Sequence, residues 1–494
     1  MNAKISESVS NYLSTSPIPH FIGGDWQPSA DGQTWNVINP ADGSVLATTS
    51  LGGAREINSA VEAAHKAFPG WAATPPNERS ALLHRFAERA EKESATLAQI
   101  ESLDVGKAIS LAQNFDIPFG IECIRYYAEF AVHAQYSVPL AIKNIEARIF
   151  RAPYGVCGFI FPWNFPYALF MWGVIPAIAA GNTVVVKPSE ITPLSSLYIA
   201  KLAAEAGIPA GVINVVVGQG PEAGEALTNH PLVRRMSFTG SIEVGSKIGE
   251  ACGRRLIPCK LELGGKGAAV VFDDVDVASA AAQLAGAITM NSGQVCCTAT
   301  RWMIHEKIYN EFVGSVSEVL RKTKIGPGLD PATEMGPLVS KVQQDRVLGY
   351  LEKGKAEGAT AVLDGGLAEV PGYSGGFYVK PYLLQGAIDN VCFREEIFGP
   401  AAYLTKFSDE QAVIQDVNSL SYGLANSVWS ADFARANRVA EQMVAGNNWI
   451  NAHNVFAYGL PYGGVNSSGL GGGVNSPATF YDYLRESTIA RPLA

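Results

Sequence analysis

The stretch Val156–Glu190, VCGFIFPWNFPYALFMWGVIPAIAAGNTVVVKPSE, decides the fold. VCGFIF and TVVVK are short continuous apolar runs, and YALFMWGVIPAIAAG between them is long enough for a helix. No charged residue occurs from Ala152 to Val186, a length that raises the question of a membrane span. Pro153, Pro162, Pro166 and Pro176 cut it, with Asn164, Gly181 and Asn182 inside, so no uninterrupted apolar helix of about 20 residues can form. The reading is a buried strand, a loop, a core helix and a second strand.

The alternation continues downstream. A helix after Thr192-Pro193 ends near Gly207, followed by INVVV, a short helix, RMSF, another helix and LIPCKLEL. Buried apolar strands separated by helices predict a doubly wound parallel sheet, because parallel neighbours need crossover connections. Such a sheet binds ligands beyond the carboxyl ends of its strands. Past Gly265 a second series begins with AAVVFDD, a helix through ASAAAQLAGAITM, the loop NSGQVCCTAT, RWMIHE and a helix from Tyr309 to Lys324. It runs to about Gly446, enough for a second α/β lobe.

Upstream, a polar leader precedes AREINSAVEAAHKAF, where Ile57, Val61, Ala64 and Phe68 fall at helical spacing, and helical patterning resumes from Glu78 to about His133. Two segments fit neither lobe. KNIEARIFRAPYGV alternates Ile145, Ala147 and Ile149 with polar neighbours, the pattern of a half-exposed strand. YDYLRESTIARPLA reads as a helix end and an extended tail, exposed unless it pairs with another chain.

At 494 residues the chain is too long for one ordinary domain. Hydrophobic content of 47% and charged content of 17% exclude a disordered or fibrous protein. A net charge of −9 with no basic block disfavours nucleic-acid and anionic-membrane partners. Seven cysteines, without C-x-x-C pairs or His/Cys clusters, read as reduced thiols with no structural zinc. The first residues carry neither a signal-peptide apolar core nor a transit-peptide composition, so a cytoplasmic protein is expected.

Several short stretches can carry chemistry. In FTGSIEVGSKIGEACG, Gly240 allows close backbone approach, Ser241 is a good N-cap, and the helix start offers free N–H groups to an anion. Gly245 and Gly249 would let that helix pack closely on the sheet; the competing reading is an ordinary strand-to-helix turn. In VVVKPSE, Lys187 stands at a buried strand end, where its ammonium is wasted without an anionic or hydroxylic ligand. Glu190 follows, able to accept from ribose hydroxyls and to repel a 2′-phosphate; the competing reading is a surface ion pair.

PWNFP brackets Asn164 between prolines that fix its backbone, which suits a donor to a developing oxyanion and equally a structural turn. In LELGGKG, Glu262 lies between leucines, where desolvation would raise its pKa toward that of a general base. NSGQVCCTAT offers two thiols, Cys296 and Cys297, and the dipeptide alone does not separate a nucleophile from small buried hydrophobes.

Taken in chain order, PWNFP, VVVKPSE, FTGSIEVG, LELGGK, GQVC and EEIFGP resemble the motifs of the aldehyde dehydrogenase superfamily, of the hydrolytic NAD(P)-dependent type. The likeness runs from about His20 to the C-terminus. It implies that Cys296 is the nucleophile, Glu262 the general base, and Asn164 one oxyanion donor beside the Cys296 backbone N–H. Cys297 then becomes a neighbour packed beside the nucleophile. Lys187 and Glu190 match the residues that hold the adenosine ribose, the acid favouring NAD over NADP; Gly240 and Ser241 match the pyrophosphate turn, and Glu396 with Phe398 the clamp on the nicotinamide ribose.

By the same resemblance Phe165, Trp172 and Phe456 line the substrate tunnel. Tyr167 and Phe170 share a helix with Trp172, and Phe170 is read as facing the core. A hydrophobic or aromatic aldehyde is the expected substrate, a betaine or amino-aldehyde the alternative; a CoA-acylating enzyme and a catalytically silent homologue are less favoured.

The implied architecture is an α/β protein with two doubly wound parallel-sheet domains and a small β oligomerisation element. The expected boundaries are 1–135 with 156–262 for the NAD-binding domain, with part of 447–470 as a further candidate piece. The catalytic domain takes 263–446, and the oligomerisation element of a homodimer or homotetramer takes 136–155 with 471–494. The chain departs from the family pattern at Ile242, where threonine is common, at Asn466, where lysine is usual, in LELGGKGA, which lacks Ser-Pro, and in GLGGG, which replaces Gly-Arg-Glu.

Overall fold

Each strand in the opening stretch is buried along its whole length, so each carries apolar residues on both faces. This holds for Val156–Ile160 and for Thr183–Lys187 in the computed structural model, which describes residues 5–493. Residues 1–4 and 494, the outermost positions of the expected first and last segments, lie outside the described residues. The connecting helix, Pro166–Ala179, starts with proline at its first turn, where the missing N–H costs nothing, and spans 14 residues. Among the described residues no helix is long and apolar enough to cross a membrane.

The first sheet has eight strands. Five are mutually parallel, in the spatial order Ile213–Val215, Thr183–Lys187, Val156–Ile160, Val233–Gly240, Cys259–Leu263. The chain enters at Val156–Ile160, winds one way to Ile213–Val215, then crosses back to Val233–Gly240. The reversal opens a crevice beyond the carboxyl ends of Val156–Ile160 and Val233–Gly240, where such sheets bind ligands. Helix Ile242–Arg255 packs closely on this sheet: a Cβ at Gly245 would stand 2.5 Å from Leu263 Cδ2.

A seven-stranded sheet forms the second series, parallel except at the edge strand Thr360–Leu363. Along Gly267–Val271, Ala268 and Val270 enter one core cluster while Ala269 and Val271 enter the cluster on the opposite face. A strand buried on both faces has no polar alternation, hence the continuous apolar runs in the sequence. Asn447–Ile450 closes this sheet just past residue 446, whereas Gly469–Leu470 pairs with Cys259–Leu263 at the edge of the first.

Two segments differ from the sequence reading. The polar leader is folded: helix Glu7–Ser14 is followed by His20–Ile22 and Asp25–Gln27 at the edge of the first sheet and by the hairpin Thr34–Ile38 with Val45–Ser50. These strands are short or face solvent, so they carry little apolar periodicity. The C-terminal tail pairs within its own chain along one edge, while its other edge and nearly all its side chains stay exposed. Its strand, Leu484–Pro492, pairs antiparallel with Ile145–Pro153 of the same chain, and Ser137–Ile142 completes a three-stranded sheet.

Candidate active site

A cavity of about 260 Å³ lies at the crevice of the first sheet and reaches the loop that precedes strand Ala299–His305 of the second. Asn164, Gly240, Ser241, Glu262, Cys296, Glu396 and Phe398 all line it, together with Phe165, Trp172 and Phe456. Lys187 and Glu190 do not; they sit at the end of the neighbouring strand, where Lys187 pairs in register with Ile160.

The cysteine loop is held in an unusual backbone path. Asn291, Ser292 and Gly293 take φ of 47°, 56° and 74°, three consecutive residues in the left-handed region. That costs roughly 1–2 kcal/mol for each non-glycine residue, so the surroundings must impose it. Asn291 Nδ2 donates to the Asn164 carbonyl (2.9 Å) and Ser292 Oγ to the Gly336 carbonyl (2.8 Å). Gln294 donates through Nε2 to the Asn291 carbonyl (3.0 Å) and accepts the Val339 N–H at Oε1 (2.9 Å). A Cβ at Gly293 would stand 2.1 Å from the Gly399 carbonyl oxygen, so only glycine fits there. These contacts give Gly293 and Gln294 a physical function: they fix where the next residues point.

Both thiols line the cavity, but Cys296 is the more exposed; Cys297 is buried, its Sγ donating to Asn454 Oδ1 (3.3 Å). Cys296 Sγ lies 3.4 Å from Tyr462 Oη. The Cys297 thiol and the Tyr462 hydroxyl hold the Cys296 thiol below its usual value, against the opposing effect of burial. The neighbouring Cys296, followed by burial, pushes the Cys297 thiol well up. His453 supplies no cation: burial holds it down at about 4, and its Nε2 donates to the Cys297 carbonyl (2.9 Å).

Asn164 Nδ2 donates one hydrogen bond, to the Gln294 carbonyl (3.0 Å). A carboxamide nitrogen has two N–H donors, so one remains for a ligand beside Cys296. Glu262 is buried, and neither of its carboxylate oxygens makes a hydrogen bond of normal geometry. Burial pushes its carboxyl well above the usual range, the nearby Cys296 adds to this, and Lys260 opposes it. Lys260 does not neutralise it directly, because its Nζ is committed to Asp482 Oδ2 (2.9 Å) and the Gly473 carbonyl (2.6 Å).

Glu396 faces the glycine pair that follows Glu262. Its Oε1 accepts the Gly265 N–H (3.0 Å), and a Cβ at Gly264 would stand 2.5 Å from Oε2. Burial raises its carboxyl to about 7. Phe398, at φ 61°, offers its carbonyl to Gln343 Nε2 (2.7 Å) and sets its ring edge-on to Trp163. Ser241 caps helix Ile242–Arg255, its side chain accepting from Val244 N–H.

Lys187 differs from the expectation that its ammonium needs a ligand. Nζ already donates to the Gly218 carbonyl (2.6 Å) and the Pro188 carbonyl (2.9 Å) and pairs with Glu190 Oε2 at 3.3 Å. The strand end folds carbonyls back over the ammonium, which its sequence position did not reveal.

Comparison with known proteins shows the family. The aldehyde dehydrogenase family model matches residues 26–489. This chain belongs to the aldehyde dehydrogenase family. It is 39% identical over 467 residues to a phenylacetaldehyde dehydrogenase of Pseudomonas fluorescens, covering 92% of each chain. It is also 39% identical to a betaine aldehyde dehydrogenase of Mesorhizobium japonicum, over 92% of this chain and 93% of that one. The NAD+ complex of an aldehyde dehydrogenase from Bacillus cereus superposes with a TM-score of 0.96 at 36% identity, covering all of both chains.

In this aldehyde dehydrogenase the cavity wall is more aromatic than the sequence suggested. Trp172 lies 5.9 Å from Phe456, and Phe115 lies 5.6 Å from Phe456 and 5.3 Å from Phe119, ring centre to ring centre. Phe115 sits in a π-helical turn, Ala112–Asp116, whose altered pitch takes it out of ordinary helical register. Tyr167 and Phe170 are fully buried in the core and do not line the cavity. Sequence reasoning also missed Tyr462: nothing in the segment PYGG marks a tyrosine whose hydroxyl meets a thiol of a distant loop.

Proposed function

We propose that this aldehyde dehydrogenase oxidises a hydrophobic or aromatic aldehyde to its carboxylic acid with NAD, through a covalent adduct on Cys296. The observation that carries the reading is the convergence of a half-exposed thiol, a buried carboxyl without a hydrogen bond of normal geometry and a carboxamide with a spare N–H on a single aromatic-walled cavity.

The Cys296 thiolate attacks the aldehyde carbon. The resulting oxyanion is received by the Asn164 amide and the Cys296 backbone N–H, donors placed before charge develops. Bound NAD supplies the acceptor for the hydride that this thiohemiacetal gives up, which leaves a thioester on Cys296. Glu262 then takes a proton from water as the water attacks the thioester carbon, and the acid leaves as the sulfur is released. Glu262 also argues against a CoA-acylating enzyme, which has no need of a water-activating base.

The chain's residues fit the cofactor. The crevice lies at the reversal of the parallel sheet, and the N-terminus of helix Ile242–Arg255, with Gly240 and Ser241, lines it with N–H groups suited to a pyrophosphate. Glu396 and Phe398 would hold the nicotinamide ribose, and Lys187 with Glu190 the adenosine ribose. A carboxylate at Glu190 favours NAD over NADP by repelling a 2′-phosphate.

Charge in the cavity favours a neutral aldehyde over betaine aldehyde. Rings of this kind can cage a quaternary ammonium. Yet the two carboxyls lining the cavity, Glu262 and Glu396, are both raised by burial, which weakens them as fixed anions, and Arg346 adds a cation. The test compares kcat/KM for benzaldehyde, a medium-chain alkanal and betaine aldehyde, with Cys296→Ala as the inactive control. Preference for benzaldehyde or the alkanal is expected; a clear preference for betaine aldehyde overturns the substrate reading, and NADH formation by Cys296→Ala overturns the mechanism.

The reading extends to assembly. Ile142, Ile145, Phe150 and Ile489 expose apolar side chains on the three-stranded sheet, which supports its use as the contact of a homodimer or homotetramer. A monomeric mass by light scattering contradicts this.

A further inference from the structure

We propose that Tyr462 is a further catalytic residue, whose hydroxyl donates a hydrogen bond to the Cys296 sulfur and sets the pH range over which the nucleophile is available. The proposal rests on the reading of Cys296 as nucleophile.

The hydroxyl stands 3.4 Å from the sulfur, within reach of an O–H···S bond. Its ring is fixed on both sides. Trp172 and Phe456 pack against it at 5.7 and 5.3 Å, and its backbone exchanges two hydrogen bonds with Val474, at 3.0 and 2.6 Å. The residue is buried in an otherwise apolar wall, where a phenylalanine ring would fill the same space without a hydroxyl to satisfy. The polar atom therefore needs a use, and the sulfur is its partner. Tyr462 also belongs to the loop that approaches the base: a Cβ at the next residue, Gly463, would stand 3.2 Å from Glu262 Oε1.

The groups facing Cys296 leave a neutral donor as the means of holding a thiolate. From its own loop comes the Cys297 thiol, from the first sheet Glu262, and from the segment after helix Val391–Arg394 Glu396. His453 donates to the Cys297 carbonyl, and Arg346, a cation on the cavity wall, donates to the Glu396 carbonyl (3.0 Å), so the hydrogen bond that reaches the sulfur is the one from Tyr462. Burial, with the Cys296 charge adding to it, pushes the Tyr462 phenol well up, so it stays protonated and remains a donor.

A hydrogen bond to an anion of this kind is worth about one pKa unit. Removing it should raise the thiol pKa by about that much while making each thiolate more nucleophilic, because nucleophilicity rises with pKa with a slope of about 0.4–0.5. The two effects produce a crossover. Tyr462→Phe should be alkylated about threefold more slowly than wild type well below the thiol pKa and about threefold faster well above it.

The experiment measures the rate of iodoacetamide labelling on the peptide carrying Cys296, by mass spectrometry, from pH 5.5 to 10 in wild type and Tyr462→Phe, with NADH formation by Cys296→Ala in parallel. Crossing profiles support the proposal. Superimposable profiles, or a constant ratio at every pH as a merely structural effect would give, overturn it while leaving the nucleophile assignment intact. NADH formation by Cys296→Ala overturns that assignment and the proposal with it.

Discussion

Replacing Asn164 with alanine separates the proposed chemistry from structural support, because the account gives the carboxamide both roles. Its Nδ2 spends one N–H on the Gln294 carbonyl at 3.0 Å, and the other is assigned to the oxyanion. Loss of one such donor lowers kcat by about 10²–10³, equivalent to roughly 2.7–4 kcal/mol of transition-state stabilisation. The structural cost is smaller. The Gln294 carbonyl keeps a weaker contact from Asn291 Nδ2 (3.4 Å), so the missing bond costs about 1 kcal/mol of stability. The loop stays anchored through the Asn164 backbone carbonyl, Ser292 and the Gln294 side chain, none of which the substitution removes. Asn164→Ala should therefore lose about a hundredfold or more in kcat/KM for an aldehyde, while iodoacetamide labels Cys296 at close to the wild-type rate. A loss below tenfold refutes the donor role. A labelling rate that falls by the same factor as turnover shows that Asn164 only holds the loop.

Glu262→Gln should slow thioester hydrolysis while leaving Cys296 labelling intact; unchanged steady-state turnover counts against the base. In the wild type the carboxyl is raised by burial, so its basic form grows as pH increases. Thioester hydrolysis, followed by rapid quench, should accordingly keep climbing with pH above the ordinary carboxylate range; a plateau already complete near pH 5 contradicts this. Glu190→Gln should narrow the ratio of kcat/KM for NAD over NADP, and an unchanged ratio removes the argument for cofactor choice. His20 is buried and His453 half-buried, and desolvation lowers both to about 4. A depressed histidine pKa stabilises the fold above the unfolded value near 6.5 and loses that contribution as pH falls toward 4, at up to about 1.4 kcal/mol per pH unit for each. Thermal denaturation should show the melting temperature dropping between pH 6.5 and 4; a flat profile shows that neither histidine titrates on unfolding.

The doubly wound sheets were legible because strands buried on both faces must be apolar throughout, as at Val184–Val186 and Ala268–Val271. The leader strands were not: Asp25–Gln27 is exposed along its length and carries no burial signal. Tail pairing was half legible, since a strand pattern shows that backbone groups need partners but not which strand supplies them. At the site, the motif register chose Cys296 over Cys297; the structure leaves Cys296 the more exposed of the two, after a left-handed Asn291–Gly293 path held by side-chain hydrogen bonds. The carbonyl partners of Lys187, Gly218 and Pro188, were not legible because they lie in turns whose direction sequence does not give. Phe115 and Tyr462 were missed for different reasons. A π-helical turn breaks the spacing that would have flagged Phe115, and the partner of Tyr462 is 166 residues away.

The central claim is that the aldehyde passes through a covalent acyl group on Cys296, and trapping that group tests it most directly. Glu262→Gln, mixed with NAD and an aromatic aldehyde whose thioester hydrolyses slowly and quenched in acid, should show the acyl mass on the peptide spanning Cys296 and Cys297. The adduct should persist in Cys297→Ser and vanish in Cys296→Ala. Acid formation with no acyl mass on that peptide, or an adduct that survives Cys296→Ala, contradicts the account.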